Sequence, residues 1–342
     1  MDYAKIWFVF WAVLWTGYFA LDGFDLGAVF SAGLTARGEE ERRAVFASVG
    51  PFWDGNEVWL VTAGGATFAA FPAVYAGLFS WLYPALALIL FSLIARGVAL
   101  EFRGKVAAPA WKAFWERTAS VASFLAALLF GVAFGNLFRG LEIGPGGGYY
   151  GTFFGLLNPY ALLTGLLFCA FFLFHGLLWV SRKTVGEQAE RAARLAGGAW
   201  YLLAALAAAF LVYSWAATAL FNNFLARKWL LLLPAGFAVS LAAARLLLGM
   251  GRRGAAFLAS FAAIALFSLS GFAGLYPDLL ASRVDPAYSL TVYNASSSAY
   301  TLKLMTGVVL VFLPVVIAYQ AWVYRLFRAP LGREELERSG MY

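Results

Sequence analysis

Charged residues in this chain come in short runs separated by long apolar stretches, and one long silence runs from Val58 to Ala95, without one Asp, Glu, Lys or Arg. As a single helix rising about 1.5 Å per residue it would be about 57 Å long, nearly twice a bilayer's hydrocarbon core of roughly 30 Å. Two spans folded back on each other are therefore predicted, with the polar cluster before Val58 and the next charge, Arg96, at the same membrane face. The same reading predicts nine apolar helices, at about Ile6–Phe30, Val58–Tyr75, Leu82–Ala99, Thr118–Leu137, Tyr160–Val180, Gly197–Leu220, Trp229–Ala244, Ala255–Leu275 and Leu304–Tyr324. The expected fold class is an all-α polytopic membrane protein of about nine transmembrane helices, arranged as two four-helix bundles plus one peripheral helix. Residues 1–342 form one integral membrane domain. Its first bundle falls at about 1–140, the second at about 155–276, and a final helix at about 304–325 leads into a tail.

Composition agrees: 63% of the 342 residues are hydrophobic and 13% charged, which excludes an ordinary soluble domain. The net charge of +7 does not indicate nucleic acid, because the basic residues are dealt out among loops and form no patch with aromatics between them. Alternate connections hold 19 and 6 Lys and Arg residues, and the richer set includes Arg37, Arg103, Arg182, Arg252, Arg333 and Arg338. By the positive-inside rule that set is cytoplasmic, the N-terminus outside and the C-terminus inside. The first segment lacks a basic start and a small-residue cleavage site, so it reads as a retained span and not a signal peptide. One cysteine, Cys169, permits no internal disulfide.

Candidate chemistry lies where charge meets a span. Asp22 and Asp25, in LDGFDLG, are three apart and so on one side of the first helix, near its cytoplasmic end. Ionisable groups at such depth usually face the bundle interior and serve a pathway; the alternative is that they cap a short span. Asp54, Asn56 and Glu57 precede the second span in GPFWDGNEVWLVTAGGATFAAFP, whose small residues are expected to let a neighbouring helix approach closely. In ARGVALEFRGK, Arg96 and Glu101 suit pairing with a buried partner, whereas Arg103 reads as a solvated loop residue. Trp7, Trp11 and Trp15 read as a packing face, and GEEERRAVF as a charged surface helix. GPGGGYYG lacks the Lys-Ser/Thr and the strand of a phosphate loop. The lone histidine, His175, reads as a packed residue, and no metal-ligand set is evident.

Taken together, DGFDLG, GPFWDGNEVWLVTAGGATFAAFP, ARGVALEFRGK and GVAFGN resemble subunit II of cytochrome bd-type quinol oxidases. The motifs cover about the first 140 residues; the later helices agree in number and length. The resemblance implies a haem-free subunit of a terminal respiratory oxidase in a bacterial or archaeal cytoplasmic membrane, supporting a haem-bearing subunit I that holds two b-type haems and one d-type haem. It implies quinol and oxygen as substrates of the complex, a small single-span accessory subunit as a candidate partner, and a structural quinone as a candidate ligand. Axial haem ligation needs His, Met, Cys or Tyr, and one histidine cannot serve three haems. The family's proton-uptake path, carried over residue by residue, falls on Lys105, Glu101, Asp54 and Asp25, with Asp22, Asn56 and Glu57 as a supporting cluster. Glu101 stands where the family pattern leads one to expect aspartate, which lengthens its reach by one methylene. Arg96 is the candidate for a haem-propionate or partner contact. Two other readings stay open: a secondary transporter or ion channel using the same acids, and an assembly subunit in which they are only interhelical ties.

Overall fold

A computed structural model describes residues 2–332; Arg333 and Arg338, counted in the charge bias, lie outside the described residues. The helices are α1 (Tyr3–Phe30), α2 (Ala32–Thr35), α3 (Glu39–Val49), α4 (Trp53–Ala70), α5 (Pro72–Trp81), α6 (Tyr83–Phe102), α7 (Pro109–Arg139), α8 (Pro159–Lys183), α9 (Gly186–Ala217), α10 (Asn222–Ala226), α11 (Leu232–Gly249), α12 (Arg253–Leu275) and α13 (Ala299–Leu326). Between α12 and α13 a short antiparallel pair, β1 (Asp278–Leu280) and β2 (Leu290–Thr291), pins the long connecting loop. Eight of the described helical segments are long and apolar enough to cross a membrane, and the α4–α5 pair brings the number to nine.

That pair departs from the expected straight span at Val58–Tyr75. The crossing helix starts five residues earlier, at Trp53, and ends at Ala70, where the chain turns through 117° into α5. Pro72 supplies no N–H and disfavours the α conformation in the residue before it, and Phe71 sits at φ −134°, ψ 64°. The carbonyls freed at the break are taken up by Ser297, whose N–H reaches Ala70 O at 2.9 Å and whose hydroxyl reaches Ala69 O at 2.6 Å. A loop more than two hundred residues away thus satisfies the end of α4.

α1 is the axis of the molecule, packing against α4, α7, α8 and α12. α7 and α8 lie along each other, as do α8 and α9, and α11 and α12. The α1–α8 crossing is as close as backbone allows: a Cβ on Gly27 would fall 1.7 Å from the Phe172 carbonyl oxygen, and one on Gly176 2.2 Å from Ala28 N. α7 and α8 repeat the device at Gly131 and Gly165. The glycines of TAGGA do not serve this purpose within the chain, since a Cβ on Gly64 or Gly65 would meet nothing within 4 Å. α13 is the peripheral helix, touching α1 and α4 and leaving most of its apolar surface outward.

Candidate functional site

Three helices bring the polar residues together at the end of the molecule that carries the basic connections. α1 contributes Asp22 and Asp25, both fully buried one turn apart. α4 begins directly after the Gly50–Phe52 turn, so Asp54, Asn56 and Glu57 fall in its first turns. α6 places Arg96, also fully buried, two turns before its end.

The Arg96 guanidinium grips Asp22 with both arms, NH1 to Oδ2 at 2.8 Å and NH2 to Oδ1 at 2.7 Å, and NH1 also donates to Glu57 Oε1 at 3.1 Å. Both side chains of the Asp22 pair are 0% exposed, whereas Glu57 keeps 23% of its side chain accessible. Two charges taken out of water are tolerable only with such fork geometry, which satisfies two acceptors at once. Asp22 has no oxygen left over. Asp25 differs: its Oδ2 accepts from Asn56 Nδ2 at 2.6 Å, while its buried Oδ1 has no partner among the described residues. The Tyr18 hydroxyl, two turns earlier on α1, is likewise buried and without a hydrogen-bond partner among the described residues.

Asn56 is the hub between this pair and α13. It donates to Leu21 O and to Asp25, and its amide oxygen accepts from Gln320 Nε2 at 3.2 Å and the Tyr324 hydroxyl at 3.1 Å. Gln320 in turn accepts from Trp59 Nε1 at 2.8 Å. The sequence reading missed Gln320 and Tyr324. Their only signal was two polar-tipped side chains four apart, hence on one face, inside an otherwise apolar final span.

The other predicted residues lie at the same end but outside this network. Asp54, at the start of α4, Glu101, near the end of α6, and Lys105, in the turn that follows, are all exposed on this chain. Asp54 remains within electrostatic reach of Glu57, three residues on. Arg103 is not the solvated loop residue expected. It is fully buried, donating from NH2 to Glu39 at 3.1 Å and Glu116 at 2.6 Å, and stacks over the Phe46 ring at 4.9 Å. It pins α3 to the start of α7, with Lys112 adding a 2.7 Å bond to Glu39. Partial burial pushes the Glu39 carboxyl up, but Lys112 and Arg103 outweigh it and hold it below the ordinary value.

His175 has both ring nitrogens engaged, Nδ1 with Ser260 Oγ at 2.6 Å and Nε2 with the Ala20 carbonyl at 3.1 Å, and its ring stacks on Phe257 at 4.4 Å. Among the described residues no group of three or more His, Cys, Asp or Glu side chains is placed to hold a metal ion.

The fold and the cluster define a polytopic helical membrane protein that keeps several ionisable side chains inside the bundle at one membrane face. The chain belongs to the cytochrome bd terminal oxidase subunit II family, whose model matches residues 3–327. It is 34% identical over 332 residues to cytochrome bd ubiquinol oxidase subunit 2 of Bacillus subtilis (strain 168), covering 96% of this chain and 97% of that one. It is 33% identical over 373 residues to cytochrome bd-I ubiquinol oxidase subunit 2 of Escherichia coli (strain K12), covering 99% and 98%. The fold is similar to a chain in the structure of bd oxidase from Geobacillus thermodenitrificans, with a TM-score of 0.77 at 19% identity over 96% of this chain and 99% of that one.

Proposed function

We propose that this chain is the haem-free subunit II of a quinol-oxidising, oxygen-reducing terminal oxidase, and that it carries protons from the aqueous phase at its basic face to a haem-bearing subunit I. The observation that carries the proposal is the asymmetry between Asp22 and Asp25. Three carboxyl groups, Asp22, Asp25 and Glu57, surround one guanidinium, so the cluster holds more acid than Arg96 can neutralise. Asp22 is spent in the ion pair. Asp25 keeps one oxygen open to a proton or a water molecule, which a relay needs and a pure tie does not. Exposure falls along the order Glu101, Lys105 and Asp54, then Glu57, then Asp25, as expected of a path from solvent inward.

Haem, when bound in subunit I, supplies the electron transfer and oxygen chemistry. The one histidine does not suit axial ligation here, since both ring nitrogens of His175 are engaged, which supports the haem-free reading. The transporter reading finds less support: α8, α11 and α12 contain no carboxylate to mirror the cluster. The assembly reading suits Asp22 and Arg96, and it is Asp25 that separates the two. Asp25→Asn keeps size and can still accept from Asn56, but cannot ionise. In the purified oxidase it should leave haem content intact and slow oxygen consumption by on the order of 10²-fold, whereas Asp54→Asn, at an exposed position water can bypass, should slow it far less. Full oxygen consumption and an undiminished membrane potential in Asp25→Asn would overturn the proton-path reading.

A further inference from the structure

Away from the carboxylate cluster, a groove of about 450 Å³ opens at the basic face between α2, α8 and α9. Leu173 and Leu177 of α8, Leu195 and Leu202 of α9 and Leu34 of α2 line it, and Arg191 and Arg194 stand at one end. From Arg191 to Leu202 the groove follows α9 for eleven residues, about 16 Å, close to half of a bilayer core of roughly 30 Å. Its polar end lies just before the apolar part of α9, at headgroup level, and its leucines run toward the midplane. Leu34 and Leu202 are more than half exposed, so the lining faces the bilayer.

The two arginines are not equivalent. Arg191 is buried and committed, with NH2 on both oxygens of Glu41 at 2.9 Å and Nε on the Thr35 carbonyl at 3.3 Å. Arg194 is exposed and has no partner among the described residues. Glu41 is neutralised by Arg191, so the uncompensated charge at the mouth is positive. Gly198 leaves the floor open, since a Cβ there would meet nothing within 4 Å.

From this pairing of a leaflet-deep apolar groove with a free cation at its rim, we infer a binding site for one anionic phospholipid, its phosphate on Arg194 and an acyl chain between α8 and α9. A volume within the 300–1,000 Å³ range of ligand pockets suits one chain, and basic pockets between transmembrane helices characteristically take anionic headgroups.

Native mass spectrometry on the delipidated oxidase, titrated separately with phosphatidylglycerol and phosphatidylcholine, tests the site. The wild-type protein should bind one phosphatidylglycerol about fivefold tighter than phosphatidylcholine, the weight of about one basic residue beside an anionic headgroup. Arg194→Gln should abolish that preference, and Gly198→Leu, which fills the floor and favours the helix, should remove this lipid from both series. Neither position has a partner to lose, so both variants should fold. Equal binding of the two lipids by the wild-type protein, as an apolar or detergent-filled groove would give, or unchanged stoichiometry in Gly198→Leu, would overturn the site.

Discussion

Asp22 and Arg96 form a closed pair in the bundle, and removing one member costs far more than the pair contributes. Arg96→Ala would leave Asp22 buried with two unpaired oxygens, a loss of about 3–5 kcal/mol. The expected result is a sharp fall in the amount of folded chain recovered from membranes, measured against wild type by fluorescence-detected size exclusion. Arg96→Lys should fall between the two, because a lysine cannot span both oxygens and Glu57 at once. Wild-type recovery of Arg96→Ala would mean that the pair carries no structural weight. The sequence disclosed these residues because an unpaired charge in an apolar run is costly and so conspicuous. It concealed Gln320 and Tyr324, whose neutral tips cost little inside a span and do not stand out. Arg103 was misread for another reason: its partner Glu39 lies 64 residues away, and only the docking of α3 brings them together.

Among the elements, the number and order of the spans were legible because bilayer thickness sets what a span needs, but their ends and the angle at Pro72 were not: α7 starts at Pro109 and α9 at Gly186, nine and eleven residues before the expected spans. Proline announces a break; where the freed carbonyls go depends on the loop bearing Ser297, which no local pattern specifies. Close helix approach was equally hard to place. Gly131 and Gly135 lie against α8, where a Cβ would fall within 3 Å of its atoms, whereas Gly64 and Gly65, in the run expected to admit a neighbouring helix, face open space on this chain. Gly176→Ala should therefore disrupt the α1–α8 crossing, since its Cβ would fall within 2.2 Å of backbone that cannot rotate aside. Gly64→Ala should leave the chain's own fold intact and favour its helix by up to about 1 kcal/mol. Parallel expression of both, with recovery of folded protein as the readout, separates them; equal behaviour would mean that the crossing is not set by Gly176.

At the scale of the whole molecule, the strongest organising fact is that the carboxylate cluster, the Arg103 network, the Lys105 turn and the inferred lipid groove all lie at one membrane face. That face carries most of the 25 Lys and Arg residues, and on the positive-inside rule we propose that it is the cytoplasmic one. In that orientation the proposed proton path would have a consequence, because protons drawn from the cytoplasm for a reaction inside the membrane separate charge across it. A labelling experiment follows from two exposed, unstrained positions, Ala107 before α7 and Ala287 in the loop after α12. With Cys169→Ala as background, Ala287→Cys should react with a membrane-impermeant maleimide added to intact cells, and Ala107→Cys only after the membrane is opened. Labelling of Ala107→Cys in intact cells, with Ala287→Cys protected, would invert the molecule. Asp54, Glu101 and Lys105 would then draw protons from the outside, and this subunit's path could not contribute to the potential.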